Sequence, residues 1–300
     1  MQLVPCIKWG QVSDPMTNNT SCAIMGIINV TPDSFSGDGL VHDDLRATHQ
    51  AALNQARQMA ADGAVWLDVG GESSRPGAEP VPVEEELNRV VPVIGQIRAT
   101  LGGSVKISVD TVKARVATAA LEAGADAIND ITAGQSDPAM LGVASAAGCV
   151  LMLMHNRARL GHISVDQTVG GQHEPTVYQD VVADVEAELD RLTQQAIDHG
   201  VARDKIVIDP GIGFGKTVDD NMRLVNAIPR LRRLGFPVLI GHSRKSFIGH
   251  VMQLPPQERL EGTAAVTAIS AYLGADIIRV HDVKMMHRIA QMSRALRAVG

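Results

Sequence analysis

Apolar and polar positions along the 300 residues follow two distinct rhythms. Short, nearly continuous apolar runs recur eight times: AIMGIINV (23–30), AVWLDV (64–69), VKISVD (105–110), ADAIND (125–130), CVLMLMH (149–155), KIVID (205–209), PVLIG (237–241) and DIIRV (276–280). Runs of this length read as strands covered on both faces. Between them, segments such as DLRATHQAALNQARQMAADG and VYQDVVADVEAELDRLTQQAIDHG set apolar residues three and four apart, the spacing of one helix face. Gly63, Gly124, Gly148, Gly200, Gly235 and Gly274 each precede a run, at or just past an expected helix end, where a left-handed residue closes the helix. Strands alternating with helices predict a parallel sheet. Eight such units fit one (β/α)8 TIM barrel better than two doubly wound domains, and no linker rich in proline, serine or glycine divides the chain. The expected organisation is a short irregular N-terminal extension (1–22), a single barrel domain (23–300) and, within it, a long loop over 156–175.

Composition narrows the partners. With 45% hydrophobic and 20% charged residues the chain is globular, not disordered. A net charge of -6 and no long lysine/arginine run exclude nucleic acid and an acidic membrane as partners held by bulk charge. An anionic ligand must then be held by a few local groups. The first twenty residues lack an uninterrupted apolar stretch, and no segment reaches the roughly 20 apolar residues of a membrane span, so a cytoplasmic location is expected. Cys6, Cys22 and Cys149 are widely separated and form no C-x-x-C pair, which argues against both a disulfide framework and a zinc site.

Barrels of this kind carry their sites at the C-terminal ends of the strands. The residues there are Asn29, Asp68, Asp110, Asn129 with Asp130, His155, Asp209, His242 with Lys245 a little further on, and Arg279 with His281. An unpaired buried polar group costs roughly 1–3 kcal/mol. A polar residue at the end of all eight runs therefore points to a shared pocket, with Asp68 and Asp130 set aside as helix caps or strand bridges. The stretch DPGIGFGKT (209–217) falls one residue short of a phosphate loop, because Pro210 stands where the first glycine belongs, and it follows five earlier units instead of opening the fold. It reads instead as a turn whose glycines bring backbone close to a flat ligand, with Lys216 as solvated charge. Three of the four phenylalanines, Phe35, Phe214 and Phe247, fall in loops or helix starts after the first, sixth and seventh strands, and Phe35 in TPDSFSGDG suits a mobile lid. Arg75 in GGESSRPGAEPV can take a carboxylate or phosphate bidentately. Arg279 and His281, two apart, would face one side and bind an anion.

The segments MGIINVTPDSFS, DVGGESSRPGA, ISVDT, INDI, LMH, DPGIGFGKT, SRKSFIG and RVHDV occur in this order from Ile24 onward. Together they resemble the dihydropteroate synthase family over nearly the whole chain. The resemblance implies a pterin-binding barrel that joins 6-hydroxymethyl-7,8-dihydropterin diphosphate to p-aminobenzoate, releases pyrophosphate with the help of Mg2+, and works as a homodimer. It implies Asp209 and Asn129 as acceptors for the pterin edge, and Asp110 beside the reacting methylene. Lys245 would lie between the two substrates, and Arg279 with His281 on pterin and diphosphate. Asn29 would be the metal ligand and Ser74 a diphosphate contact. For p-aminobenzoate it implies Ser246 at a helix start, walled by Phe214, Phe35, Pro76 and Arg75. SFSGDG departs from the family's usual SFSDGG, and the stretch after His155 is longer than the family pattern. The rival readings are a methyltetrahydrofolate-dependent methyltransferase, which needs no SRKSFIG loop, and a non-catalytic pterin-binding paralogue.

Overall fold

The computed structural model describes residues 22–31, 45–73, 78–158 and 162–299. Ten strands are assigned in chain order: β1 (Ala23–Asn29), β2 (Trp66–Gly70), β3 (Lys106–Asp110), β4 (Ala127–Asp130), β5 (Val150–Met154), β6 (Ile163–Asp166), β7 (Gly170–His173), β8 (Ile206–Asp209), β9 (Leu239–Gly241) and β10 (Ile277–Val280). The helices are α1 (Leu45–Ala61), α2 (Val83–Leu101), α3 (Ala114–Glu122), α4 (Met140–Ala147), α5 (Val181–Asp198), α6 (Val218–Asn226), α7 (Ile228–Leu231), α8 (Ser246–Met252), α9 (Leu260–Leu273) and α10 (Val283–Val299). Eight strands pair in parallel in the order β8-β5-β4-β3-β2-β1-β10-β9. The two ends of that order meet through a parallel bridge between Ile208 and Val238, where Ile208 N donates to Pro237 O at 2.9 Å, so the sheet closes on itself. The barrel is thus the one the eight apolar runs predict, and all six helix-closing glycines have positive φ.

The long loop over 156–175 holds an element its sequence hides. β6 and β7 form an antiparallel hairpin, paired from Ile163↔His173 to Asp166↔Gly170, separate from the barrel sheet. Ser164, Val165 and Asp166 are all exposed, so the hairpin lacks the apolar alternation by which strands are recognised.

Side-chain parity divides each barrel strand. One set, including Ile24, Ile28, Leu67, Val69, Ile107, Ile128, Leu151, Ile206, Ile240 and Ile278, faces the helices in the main apolar core. The other set, Ala23, Met25, Trp66, Ala127, Met152, Val207, Leu239 and Ile277, forms a separate apolar cluster inside the barrel. Successive strand residues face opposite sides. The residue two positions beyond an interior core residue therefore also faces the interior, one tier nearer the C-terminal mouth. Trp66 leads to Asp68, Ala127 to Asn129, Val207 to Asp209, Leu239 to Gly241 and Ile277 to Arg279. The apolar tier closes the barrel below, and the polar tier sits on it.

Candidate active site

A cavity of about 370 Å3, counting its open mouth, is lined by Asp110, Asn129, Ile131, Met154, Asp209, Phe214, Gly241, Lys245 and Arg279. Residues 169 positions apart in sequence meet here, since Arg279 donates from Nη2 to Asp110 Oδ2 at 2.6 Å. Its Nε donates to Asp68 Oδ2, also at 2.6 Å, so one guanidinium from β10 ties β2 to β3. Asp68 is fully buried and also accepts from Ser108 Oγ at 2.5 Å and Asn129 Nδ2 at 3.0 Å. The last bond fixes the amide of Asn129: its nitrogen is spent on Asp68, which leaves its oxygen as an acceptor. Asp209 offers a second acceptor, its Oδ1 taking the Gly211 N–H at 2.7 Å. Gly241 lies between Asp209 and Arg279 and puts no side chain into the cavity.

Burial dominates the electrostatics. It pushes the Asp110 carboxyl up to about 7, opposed by Arg279 and reinforced by the negative charge of Asp68. It also raises Asp209, against the pull of Lys245 and the Gly211 N–H. Burial draws the Lys245 ammonium down to about 8, with Asp209 holding it back. For Arg279, burial pulls downward, but Asp68 and Asp110 outweigh it and keep the guanidinium above its ordinary value. Lys245 donates to Ile212 O and holds its Nζ 4.4 Å from the centre of the Phe214 ring. The other ring neighbour of Phe214 is His173, at the end of β7, stacked at 5.4 Å. The hairpin thus buttresses an aromatic wall of the cavity.

Asp110, Asn129, Asp209, Lys245, Arg279 and Phe214, all singled out from sequence, line this one cavity. Others sit apart from it. Asn29 ends β1, half-buried, beside Gly70 in register, and Gly70 pairs in turn with Asp110. Ser246 begins α8, and no side chain caps that helix. His281 has Nδ1 2.9 Å from Ser243 Oγ. Phe247 is buried in the helix-facing core, which settles it as packing. Phe35, Ser74, Arg75 and Pro76 lie outside the described residues.

The inference that every strand end feeds one pocket needs correction. Asp130, His155 and His242 have the parity of Ile128, Leu153 and Ile240, which face the helices. Asp130 accepts from Thr132 N at 2.8 Å, Thr132 Oγ1 at 2.7 Å and Gly134 N at 2.6 Å, closing the turn after β4; it caps no helix, since α4 starts at Met140 with no side-chain cap. His242 meets Thr263 O and Thr267 Oγ1 of α9 at 3.2 and 2.9 Å. Asp68 does bridge strands, yet through Arg279 and Asn129 it also orders the cavity. Lys216 is not solvated charge: it is 5% exposed and surrounded by acceptors. The phosphate-loop alternative fails on geometry as well, since α6 starts at Val218 under a capping box of Thr217 and Asp220.

Residues 25–281 match the pterin binding enzyme family. Over 273 residues the chain is 45% identical to the dihydropteroate synthase of Bacillus subtilis, covering 91% of this chain and 88% of the relative. Among solved structures, Xanthomonas albilineans dihydropteroate synthase with 4-aminobenzoic acid superposes with a TM-score of 0.82 at 40% identity, covering 93% of this chain and 94% of that one. The Yersinia pestis dihydropteroate synthase in complex with a sulfonamide drug superposes with a TM-score of 0.83 at 38% identity, covering 96% and 98%.

Proposed function

Because the chain belongs to the pterin binding enzymes and, among them, to the dihydropteroate synthases, folate-pathway transferases that condense 6-hydroxymethyl-7,8-dihydropterin diphosphate with p-aminobenzoate, we propose how its own residues divide that work. The observation that carries the reading is the pair of acceptors at the cavity floor. Asn129, its amide oriented by Asp68, and Asp209, oriented by Gly211, present oxygens to one space. A pterin offers an amino group and ring N–H donors along one edge, which matches two adjacent acceptors.

Asp110 holds negative charge near the exocyclic methylene, where positive charge develops as the carbon–oxygen bond to diphosphate breaks. No enzyme nucleophile takes part. The arylamine attacks once that cleavage is advanced, so the protein contributes alignment and charge. Arg279, with His281 and Ser74, receives the diphosphate. Lys245, between Asp209 and the Phe214 ring, marks the boundary between the two substrates. Ser246 takes the p-aminobenzoate carboxylate, and Phe214, Phe35, Pro76 and Arg75 enclose its ring.

Mg2+ binds through one or two protein oxygens together with substrate phosphates and retained waters. Among the described residues no cluster of three or more His, Cys, Asp or Glu could cage an ion. The single amide oxygen of Asn29 fits a metal that arrives with the diphosphate. Gly70, standing between Asn29 and Asp110 in register, puts no side chain in that space. The bound metal's contribution there is neutralisation of the departing pyrophosphate.

The active species is a homodimer. Ile269 and Tyr272 on α9, and Met292 and Leu296 on the adjoining α10, are 47–59% exposed and form an apolar face suited to a second copy. Among the described residues no helix is long and apolar enough to cross a membrane, and we place the activity in the cytoplasm. The decisive experiment is a product assay: purified protein forms dihydropteroate and pyrophosphate only with both substrates and Mg2+. Binding of the pterin diphosphate without product over a long incubation would replace this reading with the non-catalytic paralogue.

A further inference from the structure

The lysine of GFGKT has no part in the chemistry above, and a lysine that is 5% exposed needs a physical reason, because burying an unpaired ammonium is strongly unfavourable. Its Nζ donates to Gly211 O at 2.9 Å and Phe214 O at 3.1 Å, two carbonyls of its own loop. It also stands 3.2 Å from Nδ1 of His155, just past the end of β5. His155 in turn has Nε2 3.0 Å from Glu188 Oε2 on α5, and Glu188 accepts from Arg157 Nε at 2.8 Å. The side chain therefore turns under the loop, where a phosphate-loop lysine would reach out of it.

Gly211 is the shared element. Its N–H holds Asp209 Oδ1 at 2.7 Å while its carbonyl holds Lys216. Its φ is +70°, and a side-chain carbon there would fall 1.9 Å from His155 O, so the loop lies directly on the end of β5. Gly211 O also accepts from Phe214 N at 3.1 Å within the turn, so displacing Lys216 would leave the turn closed on itself but no longer tied to the Lys216 ammonium, and would loosen, through Gly211, the N–H that orients Asp209. The Phe214 ring has further support from His173 and Lys245, which lie outside its loop.

We propose that Lys216 is a positioning residue for pterin recognition, fixing the Gly211–Phe214 segment against β5 and so holding Asp209 where its carboxylate meets the heterocycle. The inference rests on the assignment of Asp209 as a pterin acceptor. Burial draws Lys216 down to about 7 against the field of Asp209, with Lys245, Arg157 and Glu188 also acting on it. Burial and Lys216 together hold His155 neutral, down at about 3. The ammonium donates three times, to the two carbonyls and to Nδ1 of His155, whose Nε2–H then faces Glu188. The amine keeps its two N–H bonds to the carbonyls, so the contact with the loop outlasts loss of the proton.

The test uses the full-length enzyme with Mg2+, the pterin diphosphate and p-aminobenzoate, and compares Lys216→Met, Lys216→Gln and Asp209→Asn with wild type. Lys216→Met is expected to raise the Kd for the pterin diphosphate at least tenfold, while KM for p-aminobenzoate at saturating pterin stays within threefold. Lys216→Gln, which keeps two N–H donors, should fall between Met and wild type, and it carries the same two readouts if Lys216→Met does not fold. Pterin affinity within twofold of wild type in a folded lysine variant, or an equal rise in both constants, overturns the proposal. If Asp209→Asn weakens pterin binding and the lysine variants do not, only this inference falls; if Asp209→Asn leaves the affinity unchanged, the pterin assignment falls with it.

Discussion

Asp68→Asn isolates the buried charge beneath the cavity while preserving shape. In the native protein Asp68 Oδ2 accepts from Arg279 Nε at 2.6 Å and from Asn129 Nδ2 at 3.0 Å, and Oδ1 accepts from Ser108 at 2.5 Å. An asparagine can place its oxygen toward Arg279 and Asn129 and its NH2 toward Ser108, so all three contacts are kept, with the rotatable hydroxyl accepting where it donated before. What is lost is ionic character. Hydrogen bonds to charged groups contribute about 1.5–3 kcal/mol against about 1 for neutral ones. Downgrading the Arg279 bond and weakening the other two gives a loss of about 2–3 kcal/mol, below the roughly 3–5 kcal/mol of deleting one partner of a buried pair outright. For a chain of this size that corresponds to a fall in Tm of roughly 3–5 °C. Thermal unfolding followed by circular dichroism measures it. The same substitution removes a negative charge that raises Asp110, so the acidic limb of the kcat/KM profile should move to lower pH. A Tm within 1 °C of wild type, with an unmoved acidic limb, would refute the claim that Asp68 organises the site.

Three further outcomes are expected. In the wild type, kcat/KM for the pterin diphosphate should be bell-shaped, rising with pH through about 7 as Asp110 ionises and falling above about 8 as Lys245 loses its proton; Lys245→Arg should remove the alkaline limb alone. Gly211→Ala combines a left-handed backbone with a carbon 1.9 Å from His155 O, so it should destabilise by about 3–4 kcal/mol in a urea titration. Sedimentation equilibrium should give twice the 31.9 kDa chain mass for wild type and the chain mass for Leu296→Glu, and a dimer that survives the charge would exclude the α9–α10 face.

The barrel was legible because its strands are buried on both sides, and burial on both sides produces continuous apolar runs that survive without any tertiary information. The cavity residues were legible where they carried charge or an amide at or just past a strand end, and in Phe214 as an aromatic within a glycine-rich loop; Ile131, Met154 and Gly241 carry no such mark. Parity separates them further: Asp68 shares the interior register of Trp66, and Asp130 shares the outward register of Ile128, though both end strands of similar composition. Counting by two from the interior residues would have ranked Asp68 with Asn129 and moved His155 and His242 to the helix layer. Lys216 was beyond that rule, because its burial depends on a glycine-bent loop folding back onto β5, a long-range event with no local signature. The β6–β7 hairpin escaped for the opposite reason, being too polar to register as strand.

The guanidinium stretched between two carboxylates gives the resting enzyme an internal counterion. On the proposed assignment, a substrate's diphosphate arriving at Arg279 does not meet a bare cation; it competes with Asp110 for a grip already in use. Capture of the anion would then be a trade: each hydrogen bond that Arg279 gives the newcomer is one withdrawn from Asp110, whose carboxyl loses the positive charge that opposes its protonation.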